Sequence, residues 1–107
     1  MALDILVEDF KGNAEKLLHF SIEDFYFIAD KIKDKEDFAL LKGLLIDYYA
    51  DSEVYLNDLE TLQTEVSNFQ KLFESSSPED IKKFMAEFSA LINYAIERRR
   101  TIKFVAD

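Results

Sequence analysis

The residues that could do chemistry in this chain are mostly carboxylates. Asp47, Asp51, Glu53, Asp58, Glu60 and Glu65 fall between Gly43 and Gln70, together with Tyr48, Tyr49 and Tyr55 and with no Lys or Arg. Carboxylates among amphipathic rings suit recognition of a basic surface: tyrosines supply large, rigid contact area, and acids steer and pair with cations. The same pattern also suits a solvated helix face with Tyr48 in the core and Tyr49 and Tyr55 at its rim. Neither use is catalytic.

Other chemistries lack their parts. His19 is the only histidine and there is no cysteine, so a Ser-His-Asp or Cys-His site would rest on one uncorroborated residue. The nitrogen and sulfur ligands of zinc are nearly absent. Asp30, Asp34, Glu36 and Asp37 approach calcium-loop spacing, but no mid-loop Gly occurs and Leu41 stands where a bidentate Glu belongs. Asp47, Asp51, Glu53 and Asp58 fail in the same way, with Ser52 at the turn position. Gly12 and Gly43 are too far apart to form a phosphate-binding loop. Arg98-Arg99-Arg100 reads as a helix C-terminal cap. The expectation is therefore a protein that is not an enzyme and needs no metal or cofactor.

Charge sharpens that expectation. The chain has 107 residues and a formal net charge of -9. Residues 1–65 carry 16 Asp/Glu against 6 Lys (net -10), and residues 66–107 carry 6 against 7 Lys/Arg (net +1). Such a field repels nucleic acid and anionic lipid and steers cationic partners to the N-terminal two thirds. No apolar run is long enough to span a membrane. The lack of cysteine and the absence of signal-peptide features after Met1 lead to the expectation of a cytoplasmic protein.

These groups need elements to position them. Hydrophobic residues make up 49 %, with ten Phe, two Gly and one Pro, which implies one domain of long regular elements. Leu3, Ile5 and Val7 alternate with Asp4, Leu6 and Glu8, Lys11-Gly12-Asn13 can turn, and Ala14 to Phe20 can return, predicting a β-hairpin. Ser21 resembles the cap of a helix carrying Ile22, Phe25, Tyr26, Ala29 and Ile32. A second helix is predicted from Asp34, carrying Phe38, Leu41, Leu45 and Tyr48, with a possible break at Gly43. Ala50 to Leu56 favours turn or extended structure.

Asn57 and Glu60 suggest a capping box for a third helix carrying Leu59, Leu62, Val66, Phe69 and Phe73, ending near Glu74. Ser77 as cap and Pro78 as first helical residue would open the last helix, with Ile81, Phe84, Met85, Phe88, Leu91, Ile92 and Ala95 on one stripe. Thr101 to Ala106 alternates again and predicts a strand beside the hairpin. The fold class expected is α+β: a small antiparallel sheet, made of the N-terminal hairpin and a C-terminal strand, covered by about four helices.

Asp47-Tyr48-Tyr49 followed by Asp51, Glu53 and Asp58 resembles the Tyr-Tyr and acidic recognition segment of colicin-type nuclease immunity proteins. Those are small acidic cytoplasmic proteins that block a basic toxin domain. The resemblance covers about a dozen residues; that family is all-helical, and its Tyr-Tyr segment runs into a Pro absent here. What the resemblance implies is the charge logic rather than the fold. It makes Asp47, Tyr48, Tyr49, Asp51, Glu53, Tyr55 and Asp58 the candidate contact residues for a basic protein partner. Surplus apolar surface on the last two helices is a second expectation, pointing to a homodimer.

Overall fold

A computed structural model describes residues 3–47 and 52–106. Its elements run β1 (Leu3–Glu8), β2 (Ala14–Phe20), α1 (Ile22–Ile32), a 3-10 turn (Glu36–Phe38), α2 (Ala39–Lys42), a π-helical turn (Gly43–Asp47), β3 (Ser52–Val54), α3 (Leu56–Leu72), α4 (Glu79–Arg98) and β4 (Ile102–Ala106). The fold is α+β, a four-stranded antiparallel sheet in the order β2-β1-β4-β3 with four helices.

The hairpin forms where the alternation is cleanest. Leu3 pairs with Phe20 and Ile5 with Leu18, while β4 lies along the other side of β1 with Leu3 opposite Ala106. Asp9 organises the connecting loop: its carboxylate accepts from the backbone N–H groups of Lys11 (2.8 Å) and Asn13 (2.9 Å). Those backbone hydrogen bonds, that of Asn13 first, hold its carboxyl below the ordinary value. Gly12 takes the left-handed conformation (φ 84°) that this turn requires. The register shifts between Val7 and Glu8, leaving Glu15 as the extra residue of a bulge. Both Glu15 and Lys16 consequently reach Tyr94 on α4.

Leu3, Ile5, Val7, Leu18, Phe20, Val54, Ile102 and Phe104 form the buried face of the sheet. The aromatic rings knit that face to the helices: Phe20 stacks on Phe84 at 5.0 Å, and Phe88 meets Phe104 edge-on at 6.2 Å. Of the ten Phe, only Phe10 is exposed; Phe69, Phe84 and Phe88 are buried. The last two helices therefore put these rings into the core, while Leu56 and Leu72 of α3 stay exposed.

Helix ends explain most differences from expectation. Ser21 caps α1 as expected, accepting from the Asp24 N–H at 3.3 Å. The helix expected from Asp34 instead winds in three modes, 3-10, α and then π from Gly43 onward. Asn57 does not cap α3, which already starts at Leu56 with Tyr55 at the N-cap. Ser77 does not cap α4 either: its hydroxyl donates to the Phe73 carbonyl at 2.7 Å, closing α3, and Pro78 occupies the N-cap. At the far end of α4, Arg99 is left-handed (φ 55°, ψ 45°) and the Arg100 N–H reaches the Ala95 carbonyl.

Candidate partner-binding face

The acidic segment reaches the sheet through β3, a strand of three residues. Val54 is buried and pairs with Ile102, and this anchor turns its neighbours Glu53 and Tyr55 outward. Thr101 precedes β4, where its hydroxyl donates to Glu53 Oε1 at 2.9 Å. The Tyr55 hydroxyl donates to Glu53 Oε2 at 3.2 Å. Two neutral donors thus fix an exposed carboxylate without cancelling its charge.

Tyr55 is 60 % exposed and leads directly into α3. Its carbonyl accepts from the Asp58 N–H at 3.0 Å, so Asp58 sits in the first helical turn, exposed beside Tyr55 in sequence and in space. An acid is favoured there by the positive end of the helix. Glu53, Tyr55 and Asp58 therefore share one corner of the molecule, at the junction of β3 and α3.

The remaining candidates divide differently. Asp47 ends the π-helical turn. Tyr48, Tyr49 and Asp51 lie outside the described residues. Glu65 belongs to the interior: it is 7 % exposed and accepts the backbone N–H of Leu41 (2.8 Å) and of Leu40 (3.3 Å). It thereby caps α2, whose own N-cap residue, Phe38, offers no side-chain acceptor. Composition alone had counted it among the surface acids.

Next to Glu53, Lys103 faces it across the β3–β4 ladder and binds Glu8 at 3.0 Å. The Glu8 hydrogen bond chiefly, with Glu8 and Glu53 charge, holds the Lys103 ammonium above its ordinary pKa. Beyond it lies a groove of about 330 Å³ bordered by Asp9, Phe10, Arg99 and Arg100. The Arg100 guanidinium covers the ring of Phe10 at 4.1 Å and binds Glu15 at 2.7 Å. Phe10, 89 % exposed, was missed in the sequence although it stands inside the Asp9–Asn13 loop, where a large ring has no core to enter.

His19 lies on the open face of the sheet, exposed, with Nδ1 2.7 Å from Asp4 Oδ1. Among the described residues no group of three or more His, Asp or Glu is placed to hold a metal ion. Among the described residues no helix is long and apolar enough to cross a membrane. Comparison of the chain with family models, curated proteins and solved structures gives no match.

Proposed function

We propose that this chain is a non-enzymatic protein-binding module whose β3–α3 corner captures a basic protein, in the manner of an immunity or antitoxin-like inhibitor. The observation that carries the reading is the Glu53 carboxylate, held outward by Thr101 and Tyr55 beside an exposed ring. Pre-oriented charge lowers the ordering cost of binding, and a rigid aromatic neighbour slows dissociation. The net charge of -9 adds long-range steering toward a cationic surface. Asp58 extends the acidic edge, and Asp47, Tyr48, Tyr49 and Asp51 belong to the same segment of sequence.

The test is capture from a low-salt lysate of the source organism, with wild-type chain and a Glu53→Lys/Asp58→Lys variant as parallel baits. A basic protein should be retained by the wild type, released at roughly 0.5 M salt where charges are screened beyond a few Å, and absent from the variant. Tyr55→Ala should raise the dissociation rate of that protein about tenfold or more. Equal retention on both baits would remove this corner from the interface.

A further inference from the structure

The opposite edge of the sheet has a different character. β2 is an edge strand of seven residues, against three in β3, and is the edge long enough to template another strand. Its ladder to β1 runs from Phe20 to Ala14, and among the described residues no backbone hydrogen bond outside that ladder engages it. Leu17, in the middle of it, is 65 % exposed.

Helix α4 runs beside this strand in the opposite direction. Phe84, near the start of α4, stacks on Phe20, and Tyr94, near its end, donates to Glu15 at 2.8 Å. Strand and helix border a groove of about 300 Å³ lined by Lys16, Leu17, Leu18, Glu87, Leu91 and Tyr94.

Charge is distributed unequally along this edge. At the Phe20 end stand Glu23 and Asp24 in the first turn of α1 and Asp80 in the first turn of α4. Burial chiefly pushes the Asp24 carboxyl up; the Ser21 hydrogen bond opposes it, and the charges of Asp80 and Glu23 add smaller upward pushes. At the Ala14 end, Lys16 and Arg98 both lie over the Tyr94 ring, at 5.1 Å and 4.6 Å, with Arg100 paired to Glu15 beside them. One end is acidic and the other gathers cations. An extended peptide has no inherent reason to match that polarity, whereas a second copy turned by 180° always does.

We propose that β2 is a self-association edge, on which two copies pair β2 with β2 antiparallel about a two-fold axis normal to the sheet. With the axis passing beside Leu17, the central residue of the strand, Leu17 lies opposite Leu17 of the second copy and the two side chains share a face. The two four-stranded sheets become one, with both α4 helices on the same side. The acidic start of each α4 lies toward the cationic end of the other, setting Asp80 toward Arg98. Such an isologous contact closes after two copies.

The absence of cysteine supplies the decisive probe. In Leu17→Cys the two thiol-bearing Cα atoms would stand about 4.5–5.5 Å apart, within the roughly 4.4–6.8 Å that a disulfide spans. Mild oxidation should give a covalent dimer, where Leu56→Cys, exposed on α3, should not. By equilibrium sedimentation at micromolar concentration the wild type should be dimeric. Asp80→Lys or Arg98→Glu alone should raise the dissociation constant at least about tenfold, and the two together should largely restore it. Circular dichroism confirms that each variant is folded, and the Leu17→Cys arm stands even if a charge variant is not. A monomeric wild type, cross-linking no better than Leu56→Cys, or a dimer indifferent to both charge reversals would overturn the proposal.

Discussion

Removing the Glu65 carboxylate should cost far more than an acidic residue on a helix usually does. Its two oxygens accept from the Leu41 and Leu40 N–H groups at 2.8 and 3.3 Å, and the side chain is 7 % exposed. A hydrogen bond to a charged group contributes about 1.5–3 kcal/mol, and an orphaned buried N–H costs about 1–3 kcal/mol. Taking the shorter bond at about 2 kcal/mol and the longer at about 1, Glu65→Ala should destabilise by about 3 kcal/mol. Glu65→Gln keeps one carbonyl acceptor and should lose about 1–1.5 kcal/mol. In thermal unfolding of a domain this size, the Ala variant should melt about 13 °C lower. Urea denaturation gives the free energies, and amide hydrogen exchange reports Leu40 and Leu41 individually. Equal losses for Gln and Ala, a loss below about 1 kcal/mol, or unchanged protection of the Leu41 amide would refute the capping role.

Three further outcomes follow from local geometry. Arg99→Gly should stabilise by about 0.5–1 kcal/mol, because glycine enters the left-handed region without the Cβ penalty; a lower urea midpoint would contradict this. Asp24 has a raised carboxyl pKa, chiefly from burial, so its contribution is fully present below 3.8 and lost as pH rises through the higher folded value. Asp24→Asn should therefore gain a fraction of a kcal/mol at neutral pH, solvent screening keeping it small, with little change in strong acid. Glu15 has the opposite sign: hydrogen bonds from Arg100 first and Tyr94 second hold it below 4.5. Its contribution is present above 4.5 and lost as pH falls through the lower folded value, so Arg100→Gln should flatten the acid limb of the stability curve; an unchanged limb would exclude the pair as its cause.

The sequence disclosed what is periodic. Alternation at Leu3–Val7 and at Ile102–Phe104, and the stripes from Leu59 to Phe69 and Ile81 to Ala95, become the sheet and the two long helices because each buries a continuous apolar row. Partners distant in sequence left no such trace. β3, three residues long, is a strand through its pairing with β4, and too short for a period of two to show. Asn57 and Ser77 have the chemistry of caps, but the helices begin on either side of them, at Leu56 and Glu79, where packing of Leu59 and Ile81 sets the start. For the candidate face, Glu53, Tyr55 and Asp58 were legible by type. That Thr101 completes the site depends on tertiary pairing no local pattern encodes; Glu65, three residues after Leu62 and four before Phe69, lies on the buried stripe, but the Leu40 and Leu41 amides it meets there leave no trace in the sequence.

Pairing of Leu3 with Ala106 has a kinetic corollary. The β1–β2 hairpin and the helices can form from neighbours in sequence, but β4 must close nearly the whole length of the chain before the sheet is continuous. Contacts of such long range slow folding, since the entropy of closure is lost before the strand is secured. Until β4 arrives, β3 has no ladder and Glu53 lacks its Thr101 donor. The Glu53–Thr101 contact thus waits on β4, and a partly unfolded chain should collapse around its helices before that contact forms.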